Sequence, residues 1–134
     1  MKYNLIICFL LFFTLFAEAK TRVKLLYVID GDTVKIEAPG TLEKRSFRLD
    51  DIDTYETKKI NRAYKQAYAN KITIDEVIRR GKRQKKYLEK LLKNKKIYIV
   101  TSEKKDRYKR LTGTLYAGKI NINKKIQKKY KMKK

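Results

Sequence analysis

The chain contains no histidine, and its single cysteine is Cys8. Without histidine there can be no Ser-His-Asp triad, no Cys-His pair, no imidazole general base and no imidazole metal ligand. The groups that remain for catalysis are carboxylates, arginines and a hard metal ion bound through oxygen ligands. Such groups suit a polyanionic substrate.

The N-terminal segment has the form of an export signal. Lys2 precedes an almost wholly apolar run from Leu5 to Phe16, and Ala17-Glu18-Ala19 offers a small-x-small cleavage site. The run is shorter than the ~20 residues of a comfortable membrane span. We therefore expect residues 1–19 to be a signal peptide and the protein to be periplasmic or secreted. An uncleaved signal-anchor is the less favoured alternative, and no stable membrane anchor is expected after cleavage.

Negative charge is scarce, because 36 Lys and Arg stand against 14 Asp and Glu, a net charge of +22. A charge this large attracts polyanions such as nucleic acid, anionic lipid or acidic glycan. Two clusters, residues 79–86 and 124–134, are strongly basic, but each alone is more typical of a solvated helix face or a tail. The charge therefore predicts a class of partner and no chemistry.

A cysteine-free mature chain of about 115 residues must be held together by one core, and this length suits one domain. Residues 20–134 are therefore interpreted as one domain with a basic C-terminal tail. Alternation of Val23, Leu25, Tyr27 and Ile29 predicts a first strand with one apolar face. Further strands are predicted at 33–37, 45–52, 97–100 and 111–117, with turns at Asp30-Gly31 and Pro39-Gly40. The first three strands form an antiparallel meander of the kind that curls into a barrel.

Two or three helices accompany these strands. Thr73-Ile74-Asp75-Glu76 has the form of a capping box and predicts a helix to about Lys93, with Gly81 as a possible break. A short basic helix is predicted from Ile122 onward. Residues 57–72 are polar and are interpreted as a loop with a helical turn.

Two acidic motifs stand out in this basic chain, Asp30-Gly31-Asp32-Thr33 and Asp53-Thr54-Tyr55-Glu56. Asp32 follows the first turn and Asp53 ends the third strand, so a curled meander can make them neighbours. Two aspartates in such a chain can simply pair with Lys or Arg. Glu56 is a third carboxylate at a strand exit, where loops often carry function, and it suggests a base or a ligand beside a metal.

These motifs carry a resemblance to a known family. The stretches 28–34, 47–49 and 52–56, followed by 106–110, 115–119 and 122–123, resemble the ordered motifs of the staphylococcal nuclease (thermonuclease) family. The resemblance runs from about Arg22 to Asn123. It implies an OB-fold, a five-stranded barrel in an α+β, mainly β, domain with two or three helices. It also implies a secreted, Ca²⁺-dependent endonuclease that cuts DNA and RNA to 3′-phosphate and 5′-hydroxyl ends.

The resemblance implies a metal site and a base. Asp32 and Asp53 would bind Ca²⁺ through their carboxylates, and Thr54 through its main-chain carbonyl. Glu56 would position or deprotonate the attacking water. Ca²⁺ accepts hard oxygen ligands in irregular geometry, which agrees with this set. Tyr55 departs from the family, which usually has proline there, so a fixed φ is lost just before Glu56.

The resemblance also implies the groups that hold the phosphate. Arg48 and Arg110 would bind the scissile phosphate, and Arg107 and Tyr108 occupy positions where the family contacts substrate. Forked guanidinium groups match the oxygens of a phosphodiester transition state better than lysine does. Neither a protein partner nor an oligomer is implied, so a monomer is expected.

Two other classes of protein remain open. A catalytically inactive OB-fold module could hold nucleic acid with its tyrosines and basic faces. A cationic membrane- or wall-binding protein would explain the charge but not the acidic motifs. The presence of every expected acid and arginine favours the enzyme.

The form of the N-terminus is directly testable. If Ala17-Glu18-Ala19 is the cleavage site, N-terminal sequencing of the exported protein should begin at Lys20. An intact Met1 in the membrane fraction would instead identify a signal-anchor.

Overall fold

The structure, a computed structural model, describes residues 19–38, 40–104 and 106–132. The predicted signal peptide, apart from Ala19, and Pro39 of the predicted second turn lie outside the described residues. Within the described ranges, no helix combines the length and the apolar character that a membrane crossing requires.

The strands form a closed barrel. The antiparallel order is β3-β2-β1-β4-β5, and a parallel pairing of β3 with β5 closes it. A two-residue strand, β6, extends beyond β5. The predicted five-stranded OB-fold barrel is confirmed. The strand bounds are β1 Thr21–Val28, β2 Thr33–Glu37, β3 Lys44–Leu49, β4 Ile97–Thr101, β5 Leu111–Ala117 and β6 Ile120–Asn121.

The predicted apolar face of β1 is wrong beyond its middle. Val23 and Val28 are buried, whereas Tyr27 is 58% exposed. The pairing of β1 with β2 shifts register between Leu25 and Tyr27. Such a bulge inserts one extra residue, so the side chains that follow it change face. The third strand also ends earlier than predicted, at Leu49.

One hydrophobic core fills the barrel and extends under two of the helices. Phe47, Leu49 and Leu115 from the strands are fully buried, as are Leu88 and Ile122 from helices. Residues from β1 to the segment after α3 therefore contribute to one core.

Three helices lie among the described residues: α1 Asn61–Asn70, α2 Ile74–Leu92 and α3 Ile122–Tyr130. Helix α1 corrects the prediction of a loop with a helical turn over residues 57–72. Its buried face consists of Ala63 and Ala67, one turn apart, which pack with Val77 of α2 in a small second cluster. A stripe of two alanines gives little hydrophobic periodicity, which explains why the helix was not predicted.

Helix α2 begins as predicted, because the Thr73 hydroxyl accepts a hydrogen bond from the Glu76 N–H at 3.1 Å. The predicted break at Gly81 is wrong, and the helix continues through it. A β-carbon at Gly81 would lie 2.1 Å from the carbonyl oxygen of Glu56. The glycine thus allows the segment after β3 to contact the helix backbone.

Helix α3 is anchored on the barrel. Ile122 and Ile126 are buried, and Tyr130 and Met132 pack against the core. The side-chain nitrogen of Asn123 donates to the carbonyls of Asp50 and Gly113, both at 3.0 Å. The basic C-terminal segment is therefore part of the folded domain as far as Met132.

Gly81 provides a test of the contact between α2 and the Glu56 segment. Alanine in place of glycine within a helix normally stabilises by roughly 0.5–1 kcal/mol. We expect Gly81→Ala to lower the free energy of unfolding by about 1–3 kcal/mol instead, because the added carbon overlaps the Glu56 carbonyl.

Chemical denaturation measures the difference, and Lys82→Ala, at the next and exposed position, is the control, expected to change stability by no more than about 0.5 kcal/mol. A Gly81→Ala protein more stable than the wild type would contradict the contact.

Candidate active site

The two acidic motifs touch through Asp32, which is buried. The Thr33 hydroxyl donates to Asp32 Oδ1 at 2.7 Å, and the Thr54 N–H donates to Asp32 Oδ2 at 3.1 Å. A β-carbon at Gly31 would lie 2.8 Å from the Thr54 side chain, so glycine is required for this approach. The β1–β2 loop and the segment after β3 are therefore packed directly against each other.

Arg48, near the end of β3, joins the two aspartates. Its Nη2 lies 3.5 Å from Asp53 Oδ1 and 3.8 Å from Asp32 Oδ2, and its Nη1 donates to the Ile52 carbonyl at 3.4 Å. The structure thus brings together Asp32 and Asp53, as the curled meander predicts. Both carboxylates face the same guanidinium group.

Glu56 lies beside this pair and contacts Arg62 of α1. Arg62 Nη1 is 3.1 Å from Glu56 Oε1, and Arg62 Nη2 binds Asp53 Oδ1. Burial raises the pKa of Glu56, and the positive charge of Arg62 opposes that rise. Arg62, an arginine absent from the predicted set, therefore bridges two of the predicted acids.

Asp30 belongs to the same cluster, although no role was predicted for it. The Asp32 N–H donates to Asp30 Oδ1 at 3.0 Å. Burial, followed by the negative charge of Asp32, raises the pKa of Asp30 to about 7. Burial also acts on Asp32, but its hydrogen bond with Asp30 and the charge of Arg48 lower its pKa overall. Asp30 is thus the carboxyl of this pair that more readily holds a proton, while Asp32 stays ionised.

Two glutamine side chains hold the backbone between Thr54 and Glu56. Gln66 Nε2 of α1 donates to the Thr54 carbonyl at 3.0 Å, and Gln66 Oε1 accepts from the Glu56 N–H at 2.9 Å. Gln84 Oε1 of α2 accepts from the Tyr55 N–H at 2.8 Å. We call residues 54–56 the acidic loop.

The β4–β5 loop brings Arg110 to the same region. Asp106 accepts two hydrogen bonds from the Arg110 guanidinium, both at 3.0 Å, and the hydrogen bonds from Arg110 lower the pKa of Asp106 to about 2. The charge of Arg110 also acts on Glu56. Tyr108 is 71% exposed, with the Arg110 guanidinium 5.2 Å from its ring centre, and Arg107 is exposed. The side chains of Arg107 and Tyr108 are therefore open to solvent, and the Tyr108 ring lies beside the Arg110 guanidinium.

The donor chemistry suits a hard cation, but the carboxylates do not form a complete cage. Among the residues that the structure describes, no group of three or more Asp and Glu is arranged to hold a metal ion. Asp32 and Asp53 nevertheless converge on one cationic nitrogen, and the Thr54 carbonyl has a second lone pair beside the one used by Gln66. A cation that accepts water and substrate oxygens as further ligands fits this set.

Sequence reasoning missed Arg62, Gln66 and Gln84. Arg62 and Gln66 are four residues apart and share one face of α1, but that spacing has meaning only once the helix is recognised. Gln84 lies among basic residues of α2 and looks like part of a solvated face. Its burial was not visible in the pattern.

Comparison with known proteins agrees with the fold and with the motifs from Phe47 onward. The family model described as staphylococcal nuclease homologue matches residues 46–129. An uncharacterized protein of Methanocaldococcus jannaschii is 36% identical over 115 residues, covering 78% of this chain and 55% of the relative. The chain therefore spans about half the length of that relative. The match of more than half of the chain shows that it belongs to the family of staphylococcal nuclease homologues.

Proposed function

We propose that this protein is an exported, Ca²⁺-dependent endonuclease that hydrolyses phosphodiester bonds of DNA and RNA, leaving 3′-phosphate and 5′-hydroxyl ends. The family supports a nuclease or a nucleic-acid-binding protein. The observation that favours catalysis is the group of acids beside arginines: Arg48 contacts Asp32 and Asp53, and Arg62 contacts Glu56.

Asp32, Asp53 and the Thr54 carbonyl would hold the metal ion. When bound, Ca²⁺ supplies positive charge to the phosphate and favours ionisation of a coordinated water. Asp32 is suited to this role because its hydrogen bonds with Asp30, Thr33 and Thr54 keep it ionised. The two aspartates differ in exposure, since Asp53 is mostly exposed and can adjust to the ion.

Arg48 and Arg110 would bind the phosphate oxygens. Both are partly buried, and each is oriented by an acid, Arg48 by Asp53 and Arg110 by Asp106. An oriented fork stabilises the charge of the transition state without first having to be ordered. Glu56 would accept the proton of the attacking water, because no histidine is available and its carboxyl is mostly buried.

Removal of the metal and of the base distinguishes an enzyme from a binding module. With plasmid DNA, cleavage should require Ca²⁺ and stop in excess chelator, while circular dichroism should show that the fold is retained. Glu56→Gln keeps the size of the side chain but removes the base, so turnover should fall by ~10²–10⁴-fold. Binding of long DNA should change little, because most of the affinity comes from diffuse charge.

Glu43→Gln is the matched control. Glu43 is an exposed glutamate immediately before the first residue of β3, at the opposite end of that strand from Arg48, and its substitution should leave turnover unchanged. Wild-type protein that binds DNA with Ca²⁺ but never cuts it would establish the binding module. Full activity in excess chelator would exclude the calcium mechanism.

A basic groove next to the acidic loop supports a long polyanionic substrate. Asp53, Thr54 and Tyr55 line one part of this groove, whose volume is about 1780 Å³. Tyr87 and Tyr130 also line it, in edge-to-face contact at 5.9 Å. Its basic wall includes Arg22 and Lys24 of β1, Arg83, Lys86 and Lys90 of α2, and Lys129 of α3.

Two cations of this wall pair with carboxylates, Lys24 with Glu37 and Arg83 with Glu76, whereas three of its lysines do not. Among the described residues, no Asp or Glu oxygen lies within 4.0 Å of the ammonium groups of Lys86, Lys90 or Lys129. Lys129 instead lies 4.7 Å from the centre of the Tyr87 ring. Cations interleaved with aromatic rings are typical of surfaces that follow a single nucleic-acid strand.

The groove can be tested by charge removal at constant fold. Lys86→Gln with Lys129→Gln should weaken binding of long single-stranded DNA and reduce the slope of log K against log salt by about 0.7 for each phosphate that is no longer neutralised. Cleavage of a dinucleotide should change far less, because a dinucleotide has too few phosphates to occupy the cleavage site and the basic wall together.

The control is Lys44→Gln with Lys119→Gln, which removes the same charge from exposed residues outside the groove. Equal reductions of affinity and of slope in the two double variants would show that only net charge matters. Truncation of the C-terminus is unsuitable, because Tyr130 and Met132 pack against the core.

A further inference from the structure

One side chain of α1 contacts both ends of the acidic loop. The Gln66 amide donates to the Thr54 carbonyl at 3.0 Å and accepts from the Glu56 N–H at 2.9 Å. The two partners fix the orientation of the amide, because a carbonyl needs the nitrogen and an N–H needs the oxygen. Reversal of the amide would break both hydrogen bonds at once.

The two residues that Gln66 contacts are the ones proposed to bind the metal ion, through the Thr54 carbonyl, and to activate the attacking water, through the Glu56 side chain. Thr54 would bind the metal through the carbonyl oxygen that Gln66 contacts, and a carbonyl has a second lone pair for a cation. Glu56 would act through its carboxyl, and its backbone N–H is bound to the same amide. The distance between the two groups along the loop is therefore set from outside the loop.

Tyr55, between these two residues, lacks the pyrrolidine ring that would fix its φ, so the loop has no internal restraint there. Its N–H is held by Gln84 of α2. Gln84 lies one turn from Gly81, where the Glu56 carbonyl meets the helix backbone. The loop is thus held from two helices.

Helix α1 is itself fixed on α2, which makes Gln66 a rigid support. Ala63 and Ala67 flank Gln66 in the sequence and are buried against Val77. Arg62, one turn before Gln66, binds Asp53 and Glu56. The whole helix therefore presents one side to the acids and the other to α2.

We propose that Gln66 is a positioning residue, which sets the Thr54 carbonyl for the metal ion and Glu56 for the water by holding both ends of the acidic loop. The proposal rests on the proposed function and adds α1 to the machinery of that site. Groups that orient a metal ligand from behind typically change metal affinity or activity by 10–100-fold when they are removed.

Gln66→Met tests this, since methionine keeps the length and the helix propensity but makes neither hydrogen bond. The Glu56 amide should exchange its hydrogen at least tenfold faster, as measured by NMR on the metal-free protein. The Ca²⁺ concentration for half-maximal cleavage should rise about 10-fold or more, with the KM for DNA little changed. Gln127→Met, the same change on α3, is the matched control, because that amide contacts the Asp51 carbonyl only at 3.4 Å.

Gln66→Glu is a second variant that keeps the acceptor oxygen for the Glu56 N–H but loses the donor to the Thr54 carbonyl, so the Glu56 amide should exchange more slowly than in Gln66→Met. Wild-type exchange and wild-type Ca²⁺ dependence in Gln66→Met would overturn the proposal. Unfolding of both Gln66 variants would assign the residue to stability and overturn it as well. Amide exchange can be measured without turnover. If the wild type never cuts DNA but the Glu56 amide still exchanges faster in Gln66→Met, the nuclease function is rejected, whereas the role of Gln66 in holding the acidic loop is retained.

Discussion

Closure of the barrel by the parallel pairing of β3 with β5 is the constraint on which the site depends. Arg48 pairs with Thr112 and Leu49 with Gly113, while all other strand pairs are antiparallel. Asn123 seals this junction through two carbonyls. Because Arg48 lies on the paired part of β3 and Arg110 directly precedes β5, the pairing that completes the core also brings Arg110 close enough for the charge of Asp32, which Arg48 contacts, to act on it. Fold and site therefore form together.

Local patterns were enough to predict the barrel. Alternation and turn residues located each of the five strands within a few residues, and the acidic motifs at the strand ends located Asp32 and Asp53 beside each other. The face of β1 was mispredicted because of the bulge between Leu25 and Tyr27. A bulge depends on how β2 pairs with β1, and the sequence of β1 alone does not determine that pairing. The pairing of Arg110 with Asp106 lies within one short motif, whereas the position of this motif beside β3 depends on the pairing of β3 with β5.

The parts that were not predicted depend on contacts between distant, polar or small residues. Helix α1 is built on two alanines and is otherwise polar, so its stability comes from packing on Val77 and hardly from its own pattern. Gly81 suggested a helix break, but a glycine is present because the Glu56 carbonyl packs against the helix backbone there and leaves no room for a β-carbon. Gln66 has no distinguishing feature in the sequence, since its partners are backbone groups of Glu56 and Thr54, which lie 10 and 12 residues away along the chain.

The positive charges of this chain differ in how easily one can be replaced by another. The lysines of the groove contribute one by one to a diffuse attraction, so the loss of any single one is covered by its neighbours. The arginines of the site are more specific: among the described residues, Arg48 is the one that pairs with Asp32, Arg62 the one that pairs with Glu56, and Arg110 the one that pairs with Asp106. We therefore expect individual groove lysines to tolerate substitution, whereas these three arginines should not. Lysine, the most abundant residue type of the protein, is then also the one whose single positions matter least.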